Sequence, residues 1–395
     1  MTGRCRDAAA TPGGTPPPLW RGARRAIHSR PCTPPTSIAC SPARPPSGCS
    51  PARAGWWRRG GSRRQEEAYR SVLGLEPHLK PAWMEYFALL RQAGRHEAAL
   101  ALAGEASTQF GTDALPLALR GAALVELGRF RDGLEALDEA ACLNPDLGLI
   151  WHEAGYAAWR LGELSRALMA LDRAFALEPH SGTLHLRGKV LRQAGRYLAA
   201  EVAFEGAAEA AEFPIQREAA VQEIRVTRRF AMFPGTRPDT LTPARRWFAT
   251  EGAVPLTGAS GPAATEAEIG RAFAHLAREL GWQCTVVVAL DAWPAWYDLA
   301  QALRLPVAAA LPADPASIPL VVARRPEAVT TWADVVERVS SGGRGVTFAL
   351  GQPADAAVAD LCGFLGAVPD AAVDGPFALE AARHPDGRLA GRTLR

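Results

Sequence analysis

The residues best placed to do chemistry lie in the last third of the chain, around a glycine-rich turn and one aspartate. Gly258 and Ser260 belong to the segment Leu-Thr-Gly-Ala-Ser-Gly of residues 256–261, and Asp291 follows an apolar run that ends at Leu290. A glycine loop between a strand and a helix can bind phosphate through its backbone N–H groups, and an acid at the end of the next strand can bind a ribose. Gly258, Ser260 and Asp291 are therefore candidate ligand-binding residues.

This segment resembles the nucleotide-binding start of the short-chain dehydrogenases, with two departures. Residues 262–268 are inserted between its two glycine clusters, and Thr265 with Glu268 forms a capping box that starts the helix only after the insertion. The catalytic Tyr-x-x-x-Lys motif of that family is absent, because Gln301 stands four residues after Tyr297. The resemblance implies a nucleotide or sugar-phosphate ligand but does not extend to the catalytic residues.

The sequence lacks residues that other kinds of catalytic site and metal site require. No lysine follows Lys189, which removes the lysine of a P-loop, a Schiff base or a kinase site from the C-terminal region. Pro262 stands where the nucleophile elbow around Ser260 needs a glycine. The seven cysteines lack the close CxxC pairs of zinc sites. We therefore expect no catalytic residues, no metal site and no cofactor, and we favour a non-enzymatic protein.

The pattern around these residues predicts a small α/β domain over residues 247–395. Short apolar runs alternate with helical stretches, which is typical of a doubly wound, mostly parallel sheet covered on both faces. We expect strands at residues 253–257, 285–290, 306–311, 318–323 and 345–350. We expect helices at residues 265–280, 294–303, 327–339 and 354–365.

The segment before this domain contains an internal repeat. One series of glycines recurs at intervals of 34, 34 and 33 residues, at Gly94, Gly128, Gly162 and Gly195. A second series, at Gly121, Gly155 and Gly188, keeps the same interval. The first series suits tight turns between antiparallel helices, and the second removes a side chain where paired helices approach closely. A period of about 34 residues is typical of repeated helix pairs.

The repeated segment resembles the tetratricopeptide repeat (TPR) family. The unit that begins near Gly148 matches best, with Trp151, Gly155 and Pro179 at positions that mark the family. The resemblance implies an α-helical solenoid over residues 63–215. Residues 216–246 are expected to form a capping helix and a linker, because a terminal repeat needs a cover for its open end. The residues expected to provide that cover are Val221, Ile224 and Phe230.

In TPR proteins the first helix of each unit lines a concave groove that receives a peptide or a partner's helix, and we carry this over by position. The groove positions are mainly cationic, with two aromatic side chains. Arginine pairs with carboxylates in a bidentate manner, and a neighbouring ring supplies apolar contact area. We therefore expect a protein-binding scaffold or adaptor that takes acidic or C-terminal peptide segments. The groove residues are Arg91, His152, Tyr156, Trp159, Arg160, His185, Lys189 and Arg192.

Three alternatives to this interpretation stay open, and one of them is self-association through the open concave face. Charges on a helix face are usually solvated, and Trp159 could pack between repeat units without touching a partner. The C-terminal α/β region could also be a module, or an enzyme, that binds a nucleotide or sugar phosphate and is regulated or delivered by the array. A ligand of that kind would raise the thermal stability of the α/β domain.

Residues 1–62 differ in composition from the rest of the chain. Residues 1–60 contain ten arginines, one aspartate and eleven prolines, with too few long apolar side chains to offset the entropy of ordering. We predict a disordered tail. An organelle-targeting peptide or an over-extended translation start would also explain this composition.

Charge and hydropathy limit the remaining partners. The net charge of the whole chain is +3, and residues 1–60 carry +9, so the other 335 residues carry −6. We therefore expect no basic face that could bind nucleic acid. No apolar run approaches the roughly 18 residues that cross a bilayer. The N-terminus also lacks the apolar core of a signal peptide. We expect a protein or peptide partner, no nucleic acid, no membrane and a cytoplasmic location.

Overall fold

The computed structural model describes residues 64–394, and the tail predicted at residues 1–62 lies outside this range. Contacts divide the chain into two compact units, of which the first ends at Pro145 and the second begins at Asp146. The first unit contains the early repeats. The second contains the later repeats and the α/β domain.

The first unit consists of helices in antiparallel pairs. Gly94 and Gly128 have φ values of 70° and 77° and form the tight turns that their spacing predicts. Gly121 lies where a Cβ atom would be 2.6 Å from Cγ of Leu137, so the glycine permits the close approach of the fourth and fifth helices. The helices are α1 (residues 64–75), α2 (Lys80–Gln92), α3 (His96–Phe110), α4 (Ala114–Glu126) and α5 (Phe130–Leu143).

The second unit continues with helices of the same kind. They are α6 (Gly148–Arg160), α7 (Leu164–Leu177), α8 (Ser181–Gln193), α9 (Tyr197–Glu209) and α10 (Pro214–Phe230). A Cβ atom at Gly155 would lie 2.7 Å from Cγ of Leu171, and one at Gly188 would lie 2.7 Å from Cε1 of Phe204. Each mid-helix glycine of the repeat therefore lies at a helix crossing, and the predicted helical repeat is confirmed.

Helix α10 covers the last helix pair. Ile224 and Phe230 are buried as expected, and the Phe230 ring stacks on Tyr197 with 6.0 Å between ring centroids. Val221 is 38% exposed, so its expected role in the cover is wrong. The buried face of α10 includes Ala220, Ile224 and Thr227, at the helical spacing of four and three residues, and Val221 lies beside that stripe.

The α/β domain contains a six-stranded parallel sheet, which confirms the predicted fold class. The strand order is β1-β7-β6-β5-β3-β4, and β2 pairs with β8 in a separate antiparallel ribbon. The strands are β1 (Val254–Pro255), β2 (Thr257–Ala259), β3 (Val286–Ala289), β4 (Val307–Ala308), β5 (Pro319–Ala323), β6 (Val346–Gln352), β7 (Leu361–Leu365) and β8 (Ala372–Val373). The helices are α11 (Pro243–Glu251), α12 (Glu266–Glu279), α13 (Ala295–Leu303), α14 (Trp332–Ser341) and α15 (Gly375–Arg383).

Both faces of the sheet are covered. On one face Phe348 of β6 stacks on Phe273 of α12 at 4.4 Å between centroids, and Trp296 of α13 packs against the same ring. On the other face Val336 of α14 packs in a cluster with Ala349 of β6. Helices on both faces explain why the strands read as continuous apolar runs.

One predicted helix is wrong. Residues 354–365 were expected to be helical, but Leu361–Leu365 form strand β7 between β1 and β6. A Cβ atom at Gly363 would lie 2.5 Å from the backbone oxygen of Leu350, so a residue without a side chain fits this central position in the sheet. Helix α15 and strand β8 lie beyond the last predicted element.

Helix α10 and the α/β domain share one hydrophobic core within the second unit. Phe230 and Phe233 belong to the same buried cluster as Phe248 of α11 and Phe377 of α15. The buried guanidinium of Arg229 donates hydrogen bonds to the backbone oxygens of Ala249, Thr250 and Asp386, at 3.0, 2.7 and 2.7 Å. Burial lowers the pKa of Arg229 to about 10. Arg229 thereby bonds the last carbonyl groups of α11 to helix α10.

Candidate functional site

The second unit contains all but one of the predicted groove residues. Helices α6, α8 and α10 are the first helices of consecutive repeats, because their first residues, Gly148, Ser181 and Pro214, are evenly spaced along the chain. Side-chain hydrogen bonds link each of these helices to the next. We call the following side chains the A-helix face: His152, Tyr156, Trp159 and Arg160 of α6, His185, Lys189 and Arg192 of α8, and Glu223 of α10.

Two cations and a histidine of α8 converge on one carboxylate of α10. Arg192 Nη1 lies 2.5 Å from Glu223 Oε2, and Lys189 Nζ lies 3.4 Å from Glu223 Oε1. His185 Nε2 lies 3.8 Å from the same Oε1 atom. Residues 185, 189 and 192 follow the helical spacing of four and three, so they share one side of α8. Glu223 therefore neutralises part of the positive charge that the sequence predicts here.

Arg192 and Lys189 differ in how firmly they are held. The guanidinium of Arg192 lies 5.6 Å from the ring centroid of Phe204 and 5.8 Å from that of Phe230, and its side chain is only 16% exposed. The side chain of Lys189 is 33% exposed, and Glu223 is its ion-pair partner. Arg192 is thus held by packing as well as by its ion pair, whereas Lys189 is the more exposed of the two cations.

The ionisation of this cluster follows from burial and charge. Burial opposes the ionisation of Glu223, but the charges of Arg192 and Lys189 outweigh it and lower the pKa of Glu223 below its ordinary value. Burial lowers the pKa of His185, and the nearby charge of Lys189 lowers it further. At neutral pH the cluster therefore contains two cations, one carboxylate and an uncharged imidazole.

Helix α6 adds an aromatic pair beside this cluster. The rings of Tyr156 and Trp159 meet edge to face at 5.8 Å. Arg160 Nη1 donates a hydrogen bond to the hydroxyl of Tyr156 at 2.9 Å, and its guanidinium lies 5.8 Å from that ring. Tyr156 and Trp159 are only partly buried. This arrangement combines apolar area and a cation next to it, which suits an acidic segment with apolar side chains.

Hydrogen bonds between neighbouring first helices use several of the same side chains. His152 Nδ1 lies 3.0 Å from Thr183 Oγ1, and Trp159 Nε1 donates to Gln193 Oε1 at 2.5 Å. In the first unit Arg91 forms a comparable bond with Glu126 of α4, with Nη2 2.5 Å from Oε1. These residues therefore connect consecutive first helices.

Glu223 was not among the predicted groove residues. It lies on α10, which begins one repeat interval after α8. The period was a sufficient signal to include α10 in the face, but α10 was read only as a cap.

Asp291 lies at the carboxyl end of β3, beside the end of β5. Its Oδ1 atom accepts a hydrogen bond from Trp296 Nε1 at 2.6 Å. Its Oδ2 atom accepts from the backbone N–H of Arg324 at 2.6 Å and of Arg325 at 3.4 Å. Both carboxylate oxygens are therefore bonded within the domain.

The side chain of Arg324 also has partners in this region. Its guanidinium pairs with Glu266 at 3.0 Å and lies 5.6 Å from the ring of Trp293. A cavity of about 130 Å³ lies beside Trp293 and Glu266. Pockets for small molecules usually have about 300–1,000 Å³. This cavity is too small to enclose a nucleotide.

Gly258 and Ser260 are not brought close to Asp291. Gly258 lies in β2, and Ser260 follows the end of that strand. Strand β2 follows β1 at one edge of the sheet, and β7, β6 and β5 separate β1 from β3. A Cβ atom at Gly258 would lie 2.6 Å from the Ala244 methyl group, so the glycine serves a close contact with α11.

Residues 64–394 lack two further features. Within that range no three His, Cys, Asp or Glu side chains are grouped so that they could hold a metal ion. No helix of the same range has the length and apolar character to cross a membrane.

Comparisons with known structures give similarities over part of the chain. No protein-family model matches the chain, and no curated protein sequence matches it. The crystal structure of MamA is 18% identical with a TM-score of 0.31, and the match covers 42% of this chain and 93% of MamA. TTC0263, a thermophilic TPR protein in Thermus thermophilus, is 18% identical with a TM-score of 0.38, and its match covers 43% of this chain and 94% of its own.

A third similar structure is YrrB, described as a TPR protein with an unusual peptide-binding site. It is 16% identical with a TM-score of 0.31, and the match covers 41% of this chain and 84% of YrrB. The classification of the present chain follows from its own helix pairs, its regular repeat interval and its glycines at helix crossings. The helices between Lys80 and Glu209 form a repeat array of the tetratricopeptide type.

Proposed function

We propose that this chain is a non-enzymatic scaffold that binds an acidic segment of a partner protein at the A-helix face. The observation that carries this proposal is the edge-to-face pair of Tyr156 and Trp159, which lies on α6 together with Arg160. Interfaces are enriched in tyrosine, tryptophan and arginine, and these residues contribute most of the binding free energy. In the α/β domain, by contrast, the candidate Asp291 is already bonded on both oxygens.

Charge favours an acidic partner at this face. Arg160, Lys189 and Arg192 supply three positive charges, and the carboxylate of Glu223 offsets one of them. An acidic segment that also has leucine side chains would use the remaining charge and the partly exposed rings. The predicted preference is therefore for alternating acidic and apolar residues, and the C-terminal carboxylate is one source of negative charge.

The test is a binding titration with a defined probe. A fluorescein-labelled decapeptide of alternating glutamate and leucine is titrated with the full chain, and fluorescence anisotropy gives the Kd. We expect Tyr156→Ser with Arg160→Gln to weaken binding by about tenfold, because it removes one ring and one cation. A lysine and leucine peptide of the same length should bind far more weakly.

The matched control is Met169→Ser with Arg173→Gln on α7. It has the same spacing of four residues, removes one charge and one apolar side chain, and changes exposed positions. Its Kd should stay within about twofold of the unchanged chain. Equal losses in the two double variants, or equal binding of the glutamate and lysine peptides, would contradict the proposal.

A further inference from the structure

We infer that Glu223 is an internal competitor, whose carboxylate occupies on α8 the cations that the carboxylate of an acidic partner would otherwise bind. This inference deepens the proposed function and rests on it. The carboxylate of Glu223 contacts Arg192, Lys189 and His185. A partner's carboxylate would have to compete with Glu223 for these side chains.

The position of Glu223 on α10 supports this inference. Its Oε1 atom lies 3.4 Å from Lys189 Nζ of α8, so neighbouring helices of the face carry opposite charges that pair with each other. An acidic segment that approaches Lys189 therefore meets the carboxylate of Glu223 beside it.

Only part of the pairing has to change when a partner binds. Arg192 is packed against Phe204 and Phe230 and also donates to Thr227 Oγ1 at 3.4 Å, so its pairing with Glu223 is retained. Lys189 is at 3.4 Å from Glu223 and has no packed ring over its ammonium group among the described residues. We assign the exchange to Lys189, which would turn from Glu223 to the carboxylate of the partner.

The experiment uses the full chain and the labelled glutamate and leucine decapeptide. Glu223→Gln removes the competing charge, and we expect a Kd lower by about two- to fivefold, the effect of one partly exposed ion pair. Lys189→Gln placed in the Glu223→Gln chain should remove this gain, because the freed cation is then absent. The non-additivity of the two changes measures their coupling.

The matched control is Glu201→Gln on α9. Glu201 is also paired with an arginine, with Oε1 2.7 Å from Arg228 Nε, and its side chain is 22% exposed against 19% for Glu223. The two changes alter the net charge equally, so a general charge effect would lower Kd in both. We expect an unchanged Kd for Glu201→Gln.

A second variant guards against loss of folding. Glu223→Asp keeps the charge and withdraws the carboxylate by one methylene, and its Kd should lie between those of the unchanged chain and Glu223→Gln. A folded Glu223→Gln chain with an unchanged Kd would overturn the inference while the Tyr156 and Arg160 result keeps the proposed function. No binding of the glutamate peptide to any chain would overturn both.

Discussion

Two carboxylates of the second unit, Glu223 and Asp291, lie among hydrogen-bond donors and differ in what holds them. Glu223 is held by the side chains of Arg192 and Lys189, which lie at a partly exposed face. Asp291 is held by two backbone N–H groups and the indole of Trp296. An exposed side-chain donor such as Lys189 can turn toward another carboxylate, whereas the backbone N–H groups of Arg324 and Arg325, directly after β5, cannot. The first cluster is therefore suited to exchange with a partner, and the second is part of the fold.

This difference explains why we place the function in the repeats. The carboxyl edge of a doubly wound sheet is where ligands usually bind. Here the ends of β3 and β5 are tied together by Asp291, and Arg324 pairs with Glu266. The cavity at this edge, beside Trp293 and Glu266, measures only about 130 Å³.

The largest expected effect is on stability at Asp291. Asp291→Asn should lower the free energy of unfolding by about 2–3 kcal/mol, because the amide offers one acceptor where three donors need two oxygens. Chemical denaturation of the full chain measures this loss. Asp298→Asn is the control, since Asp298 is exposed on α13, and it should cost under about 0.5 kcal/mol. A small loss at Asp291 would remove the contrast between the two carboxylates.

A smaller effect on stability is expected at Glu223. Glu223→Gln should lower the free energy of unfolding by about 1 kcal/mol, because the neutral amide still accepts a hydrogen bond from Arg192. The loss should shrink in high salt, since screening weakens the pairs of the unchanged chain. A loss as large as that of Asp291→Asn would mean that Glu223 is fixed in the fold and is not exchangeable.

The smallest effect is a dependence on pH through His185. Burial and the charge of Lys189 hold its pKa below the ordinary value, while Glu223 acts in the opposite direction and Arg192 adds to the lowering. The unfolded chain therefore takes up the proton first as pH falls below about 6.5, and the free energy of unfolding decreases there. His185→Gln should make that decrease shallower.

The control for this measurement is His384, whose pKa is also lowered, chiefly by burial. Denaturation midpoints between pH 7 and pH 5 should show a remaining decrease in the His185→Gln chain. If the free energy of unfolding decreases as steeply in the His185→Gln chain as in the unchanged chain, protonation of His185 does not cause the decrease.

Some features were accessible from the sequence because they depend on local pattern. The regularly spaced glycines predicted the helix pairs, and the alternation of apolar runs predicted the parallel sheet. Strand β7 was read as a helix, since its position between β1 and β6 depends on contacts with Leu350 and Ile269 that are distant in sequence. Local propensity is weaker than such tertiary contacts.

The candidate sites show the same limit. Asp291 was identified as a strand-end acid, but two of its three donors lie 33 and 34 residues further along the chain and are backbone N–H groups, which any residue type other than proline supplies. The cations of α8 were identified by position, whereas their pairing with Glu223 depends on how α10 packs. The sequence indicates which groups are present, and packing determines which of them are already bonded.

Hydrogen exchange measured by mass spectrometry tests the central claim most directly. The full chain is compared with and without the glutamate and leucine decapeptide, at peptide concentrations above the measured Kd. We predict slower exchange at the backbone amides of residues 148–160 and 181–193, and unchanged exchange in residues 286–352 of the sheet domain. Protection confined to the sheet domain, or none in α6 and α8 while the peptide is bound, would contradict the account.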